Sequence, residues 1–319
     1  MTRAKLFFAA SANVSTELGR INNSIWCNAV ALWTLRKEVQ AFVKATGKDG
    51  QQDLHVRFVA ETGVTSADLR TTCLKWSWDE HQAQLARVLL FHVCALYEGW
   101  LEDVVPRAVP SSQVELTTKA LQFPTSLDAA GRQQGFKRAI NIVNQDRSPL
   151  LVNDFFPMLI THRKNSWSSV EDLLIAYRYF KECRNTFIHA GGIANTRLRQ
   201  TYQALVAINP HKLGLAHPLQ LPIVIVGKPV DVRLPDVVAL AGMLHSLIIT
   251  VDAALAVSIN SQNDLLERLD NHRVPGRALP KKDPDKKRRA IKSWLRKAGL
   301  PEPTSVVHLE QEMRTRGLA

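Results

Sequence analysis

A short string near the middle of the chain combines a fixed cation with a side chain that can transfer protons. It reads Arg-Asn-Thr-Phe-Ile-His over residues 184–189, and a glycine pair follows at 191–192. Histidine exchanges protons near neutral pH, whereas arginine stays charged and can hold an anion such as phosphate by two parallel hydrogen bonds. Because both features coincide here with a helix stop signal, Arg184, Asn185 and His189 are the first candidates for chemistry.

The element that must position this string is predicted to be an amphipathic helix. Two serines at 168–169 can cap its start, acids follow in the first turn, and the glycine pair supplies a C-terminal stop. Apolar residues recur between these signals at helical spacing, namely Val170, Leu173, Leu174, Tyr177, Phe180, Phe187 and Ile188. Arg184 falls inside that stripe beside Lys181, while Asn185 and His189 share the adjoining face.

Two cations in an apolar stripe need an explanation, because an unpaired buried charge is unfavourable. Either an acid from another helix meets Arg184, or the stripe lines a cleft or a contact between subunits. Glu98 is the best candidate for that acid, since it lies in an otherwise apolar helical segment. The pair could be purely structural or could contribute to catalysis. The cations near the helix end could also simply complement its dipole.

The string and its surroundings resemble the catalytic motif of HEPN-type ribonucleases, in which an arginine, often followed by asparagine, precedes a histidine by a few residues. The likeness extends over residues 79–259, as a buried helix that carries Glu98, the motif helix, and a last apolar helix. It implies an all-α, HEPN-type helical bundle that cleaves RNA by attack of the 2′-hydroxyl, without metal or cofactor. It further implies a homodimer with facing motif helices. A role as a toxin or antiphage-defence effector would add an antitoxin or defence-system partner protein.

The residues suit the reaction that the resemblance implies. One group must take the 2′-hydroxyl proton, another must protonate the leaving 5′-oxygen, and positive charge must meet the phosphorane. We assign His189 to acid and base work, Arg184 to the phosphate, and Asn185 to orienting one of them. Because each chain offers one such histidine, two subunits together would supply base and acid. The alternative is a non-catalytic HEPN-like module that binds nucleic acid, a nucleotide or a partner protein.

Composition narrows the possibilities. The 319 residues are 45% hydrophobic, enough for a substantial core, and a net charge of +12 suits a polyanion such as RNA. The four cysteines include no Cys-x-x-Cys pair, which predicts reduced, mostly buried thiols in a cytoplasmic protein and no zinc site. The apolar segment 237–259 raises a transmembrane question, but Asp252 within it favours a buried core helix and no membrane association.

We predict three parts along the chain. An N-terminal helical extension over 1–78 packs on the core, the HEPN-type domain covers 79–260, and a linker with a basic segment covers 261–319. Further helices are expected at 14–44, 79–105, 195–208 and 235–259, with two or three short ones within 111–165. A short strand is expected at 54–60 and a small β-hairpin at 221–234. The stretch 88–96 should be buried nearly all round, with His92 and His245 as hydrogen-bonded core histidines.

The C-terminal part is unusually basic. Residues 281–297 contain nine cations against two acids, after a proline-rich stretch from 275 to 284. Such runs often bind nucleic acid. We assign that role to Lys181 of the motif helix and to four residues of the run, Lys286, Lys287, Arg288 and Arg289. A solvated helix or a flexible tail without a partner is the alternative interpretation.

Overall fold

The protein is all-α in a computed structural model that describes residues 6–272 and 283–318, which confirms the all-α part of the predicted fold class. The helices described are α1 (Ala9–Thr46), α2 (Gln51–Phe58), α3 (Trp78–Ala108), α4 (Val114–Ala120), α5 (Phe136–Asn144), α6 (Phe156–Ile160), α7 (Val170–His189), α8 (Thr196–Val206), α9 (Leu234–Leu255), α10 (Ile259–Asn271), α11 (Pro284–Lys297) and α12 (Val307–Thr315). Shorter π-helical or 3-10 turns lie at Arg70–Lys75, Ser111–Gln113, Leu151–Phe155, Trp167–Ser169 and Pro210–Leu213. One small antiparallel sheet pairs β1 (Ser126–Leu127) with β2 (Gln133–Gln134).

Helix α9 forms the centre of the core. Pro235 and Asp236 lie in its first turn, nearly all of its positions are buried, and α1, α3 and α7 pack against it. Among the described helices it alone is long and apolar enough to cross a membrane, and 72% of its apolar window is buried inside the fold. The helix ends before the predicted residue 259, because Ser258 caps the start of α10.

Asp252 explains how an acid fits inside this apolar helix. Its carboxylate is fully buried and accepts hydrogen bonds from the backbone N–H groups of Phe7 and Phe8, at 2.9 and 3.1 Å. Burial raises the pKa of Asp252 to about 6, although these hydrogen bonds and one from Ser11 oppose that shift. Ser11 also accepts from the indole N–H of Trp100 over 2.9 Å. The network anchors the start of α1 to the core helices α3 and α9.

Helix α3 begins close to its predicted start but runs further than expected. Ser77 and Glu80 form a capping box, in which each side chain bonds the other's backbone N–H. The helix continues to Ala108, with Pro106 in its last turn instead of after its end. A proline here removes one backbone hydrogen bond, to the carbonyl of Glu102, and that residue is exposed to water.

The prediction that α3 is buried nearly all round over 88–96 is wrong. Val88, Phe91, His92 and Ala95 are exposed, since α1, α7 and α9 pack on α3 and leave one side open within the described part of the chain. His92 is therefore not a core histidine. The open side of α3 lies next to α7, which carries the candidate motif.

Residues 51–58 form helix α2 instead of the predicted strand at 54–60. Gly50 precedes the helix in an extended conformation, and Asp53 lies in its first turn. Leu54 is completely buried in a small second cluster, and Phe58 packs against the same cluster. On a helix, Leu54 and Phe58 are four positions apart and share one side, while the residues between them do not. On a strand, the middle residue between them would lie on the same face as both.

The predicted hairpin at 221–234 is also wrong. The segment forms no β-ladder, and its Val230 N–H instead bonds the carbonyl of Gly192, at 2.7 Å, just after the motif helix. Pro222 and Pro229 lack the N–H donors that a ladder requires. By contrast, the short helices expected within 111–165 are present as α4, α5 and α6, and α8 lies within the predicted 195–208.

The basic C-terminal segment is a packed helix over the residues described, not a flexible tail. Helix α11 is amphipathic and buries Ile291 and Leu295. The indole N–H of Trp294 donates to the Leu269 carbonyl of α10 over 2.8 Å. Its basic residues therefore project from a fixed surface. Most of the predicted linker at 275–284, including Lys281 and Lys282, lies outside the described residues.

Candidate functional site

The motif lies at the C-terminal end of α7, as its sequence signals predict. The helix begins at Val170 directly after the two serines, although the Ser169 hydroxyl makes no capping hydrogen bond. His189 is its last residue, and both Gly191 and Gly192 adopt positive φ angles, of 57° and 78°. That backbone conformation favours glycine and ends the helix.

Glu98 of α3 meets two cations of α7. One of its carboxylate oxygens lies 2.6 Å from Lys181 Nζ and accepts from the Tyr177 hydroxyl at 3.1 Å. The other lies 3.6 Å from Arg184 Nη2. All three charged side chains are half-buried at the contact between the two helices. Glu98 is thus the acid that the stripe required, and it is shared between Lys181 and Arg184.

Asn185 contacts the arginine and not the histidine. Its Oδ1 accepts a hydrogen bond from Arg184 Nη1 at 3.0 Å. Together with Glu98, this contact orients the guanidinium from two sides. The Nε of Arg184 is buried and has no hydrogen-bond partner among the described residues. A buried donor without a partner is unfavourable, so the hydrogen-bonding capacity of this guanidinium is only partly used inside the fold.

His189 is exposed, and within the described residues its ring forms no hydrogen bond. The neighbouring Ile188 is also exposed, to 50% of its area, as is Ile193 just beyond the glycine pair. Asn185 lies one turn before His189 on the same side of the helix. The motif therefore presents its proton-transfer residue to solvent on a partly apolar surface, while its arginine is held at the helix contact.

Arg87 is a further cation at this site that sequence reasoning missed. Its guanidinium carbon lies 4.7 Å from the ring centroid of Phe187, within the motif string. The ring of Phe91, also on α3, lies 6.3 Å from the ring of Phe187. The Arg87 Nε is buried without a hydrogen-bond partner among the described residues. Helical spacing could have revealed Arg87, since Arg87, Phe91 and Glu98 share one face of α3.

The layer beneath the site is apolar and chemically inert. Cys94 of α3 and Cys183 of α7 are buried there, and burial raises the pKa of each thiol to about 12. Cys73 is also buried, and Cys27 is exposed, so the expectation of mostly buried, unpaired cysteines is confirmed for the described residues. These thiols stay protonated near neutral pH, so His189 remains the candidate for proton transfer among these residues.

The four assigned cations of the basic segment have different surroundings. Lys286, Arg288 and Arg289 are exposed on α11. Lys287 instead turns toward α12 and pairs with Glu310 at 3.0 Å. Lys286 and Arg289, three positions apart, share one side of α11 and form its exposed basic stripe, whereas Lys287 faces α12. No group of three or more potential metal ligands occurs within residues 6–272 and 283–318.

Comparisons with protein-family models, with curated proteins and with solved structures find no match to this chain. Function must therefore be inferred from the site itself.

Proposed function

We propose that this protein is a metal-independent endoribonuclease of HEPN type that acts in the cytoplasm as a toxin or antiphage-defence effector. The observation that carries the proposal is the arrangement at the end of α7. Arg184 is oriented by Glu98 and Asn185, and His189 stands exposed one turn further on. A fixed cation next to an accessible imidazole is what cleavage through the RNA 2′-hydroxyl requires.

In this proposal the guanidinium of Arg184 binds the scissile phosphate and stabilises the charge that develops on the phosphorane. The guanidinium of Arg87, which packs on Phe187 of the motif string, supplies further positive charge toward the phosphate. His189 takes the proton of the 2′-hydroxyl, whose oxygen attacks phosphorus while the bond to the 5′-oxygen breaks. A second group, which acts as the acid, delivers a proton to that leaving oxygen. The products are a cyclic phosphate and a 5′-hydroxyl.

The second acid is proposed to be the His189 of another copy of the chain. His189 is the exposed histidine of the motif in the described chain, and His92 is exposed on the open side of α3. Exposed apolar side chains occur on that side of α3, at the end of α7 and just beyond it, namely Val88, Phe91, Ile188 and Ile193. Exposed apolar residues clustered around a polar centre are typical of a surface that another protein covers. Pairing two such surfaces would bring two imidazoles and two arginines to one phosphate.

The test is RNA cleavage by the purified protein in excess EDTA. We expect wild type to cut single-stranded RNA and leave cyclic phosphate ends. His189→Ala should lower the rate by about 10²–10⁴-fold, because an acid or base group typically contributes that much. The control is His211→Ala, which removes an exposed histidine in the turn after α8. Cleavage by His189→Ala at the wild-type rate would reject the assigned site.

A module that binds RNA without cleaving it is the second candidate. The observation that favours it is the engagement of Arg184 by both Glu98 and Asn185, which leaves the guanidinium only partly available. RNA that stays intact in the assay above, but binds with an affinity that Arg184→Ala weakens, would select this candidate. The basic stripe on α11 would serve RNA binding in either case.

A further inference from the structure

A second cluster of basic side chains lies before the start of α7, in the loop between α6 and α7. Lys164 Nζ lies 3.0 Å from His245 Nδ1 on α9, and the Lys164 backbone N–H donates to His162 Nδ1 at 3.1 Å. Arg163 lies between these two loop residues and is exposed. Lys164, His162 and His245 are all half-buried. Four basic side chains thus share one corner of the molecule.

No carboxylate compensates this corner. Among the described residues, neither Lys164 nor Arg163 forms an ion pair, whereas the other half-buried lysines, Lys181, Lys287 and Lys292, each pair with a glutamate. Burial and the neighbouring cations lower the pKa of His245 to about 4, and the same two influences lower the pKa of Lys164. Half-buried basic groups without an opposite charge are unfavourable. The corner is therefore suited to an external anion.

An apolar groove adjoins this corner along the same loop. It has a volume of about 290 Å³ and is lined by Phe156, Ile160, Asn165, Trp167, Thr250, Ala253 and Ala254. The Ser166 N–H donates to the Thr250 hydroxyl at 2.8 Å, which fixes the loop on α9 about one turn beyond His245. Trp167 packs one edge against Phe136 and leaves 51% of its area exposed. An exposed indole beside a small groove can stack on a planar ring.

We propose that this corner binds a free mononucleotide, with its phosphate on Lys164 and Arg163 and its base in the groove against Trp167. A terminal phosphate carries more charge than the phosphodiester of a strand, and a groove this small accepts one ring and not a chain of stacked bases. The site stands apart from the proposed nuclease centre, because the length of α7, about 30 Å, separates them. The inference does not depend on RNA cleavage.

The test is isothermal titration calorimetry of the full chain with adenosine 5′-monophosphate and, separately, with inorganic phosphate. We expect wild type to bind both. Lys164→Met should weaken both by about tenfold or more, since it removes a charged hydrogen bond. Trp167→Ala should weaken binding of the nucleotide about fivefold or more and leave that of phosphate unchanged. Lys164→Arg should restore binding, and Lys137→Met, at an exposed lysine of α5, serves as control.

Two further measurements make the proposal falsifiable. Lys164→Met should unfold at the wild-type temperature or above, because it relieves repulsion within the corner. Marked destabilisation would show that the ammonium serves the fold, and would overturn the proposal. The proposal would also be overturned if neither adenosine 5′-monophosphate nor inorganic phosphate gave a binding heat at millimolar concentration. Equal weakening of single-stranded RNA binding by Lys164→Met would assign the corner to a strand and not to a free nucleotide.

Discussion

Glu98 of α3 and Asp252 of α9 are carboxylates within core helices, and their surroundings are opposite in kind. Glu98 is half-buried, forms ion pairs with Lys181 and Arg184, and accepts a hydrogen bond from the Tyr177 hydroxyl. Asp252 is fully buried and receives backbone N–H groups from Phe7 and Phe8. The first acid holds side-chain cations at a half-buried contact between helices, whereas the second ties the backbone before α1 to the centre of the fold.

The difference indicates which buried charge serves function and which serves stability. Side-chain cations at a solvent-facing contact can exchange their partner for a ligand, as Arg184 would for a phosphate. Backbone N–H groups inside the core cannot exchange their acceptor for a ligand, because no water reaches them and they would be left without a hydrogen bond. The predictions below test this separation.

The largest expected effect is on stability, from Asp252→Ala. The substitution leaves two buried N–H groups without an acceptor, at about 1–3 kcal/mol each, so the free energy of unfolding should fall by about 2–6 kcal/mol. Glu98→Ala should lower it less, because Lys181 and Arg184 can reach water. Chemical denaturation of both variants measures the difference. Equal losses would mean that the two acids play the same structural role.

The second prediction concerns activity. Arg184→Ala should lower kcat/KM for RNA cleavage by about 10²–10³-fold, as expected for loss of a charged donor to the transition state, with little change in the melting temperature. Arg184→Lys should restore little of it, since lysine cannot bridge both phosphate oxygens. Arg178→Lys is the matched control, because Arg178 pairs with Glu182 on the same helix but faces the protein interior. Full activity in Arg184→Ala would remove the arginine from the site.

The third prediction is a pH dependence of stability caused by Asp252. Its pKa in the folded protein is about 6, above the ordinary value of 3.8. Between these values the folded protein binds the proton more tightly than the unfolded chain does. Protonation of Asp252 therefore stabilises the folded protein at low pH, and this stabilisation is lost as the pH rises from about 4 to 6. Asp252→Asn does not titrate, and its stability profile should lack this component when the two proteins are compared by denaturation.

The smallest effect is expected from the exposed basic stripe on α11. Lys286→Gln and Arg289→Gln should each reduce the slope of log affinity against log salt by about 0.7, if each residue contacts one phosphate of single-stranded RNA. Deleting the segment is not a clean test, because Ile291, Leu295 and Trp294 pack into the core. Lys287→Gln is the control, since Lys287 pairs with Glu310. An unchanged slope in both exposed variants would make the stripe a solvated face.

Much of the local structure could be predicted because its causes are local. The motif helix begins at its serines and ends at its glycines, and apolar spacing reveals α3 and α9. The predictions failed where long-range packing decides. Helix α2 forms because Leu54 packs with residues of α1 and of the turn at Arg70–Lys75, and the segment after 221 hydrogen-bonds Gly192 through Val230. In both cases the partners belong to other elements.

The sequence by itself determined the all-α class and the position of Arg184, Asn185 and His189 at a helix end, and it made Glu98 the candidate acid for Arg184. Periodicity and stop signals act within a few turns, so they can be read without a fold. Only the tertiary structure decided that Glu98 is shared with Lys181, that Asn185 bonds the arginine, and that Arg87 joins the site. These facts depend on how α3 packs against α7, and no spacing within one helix determines that.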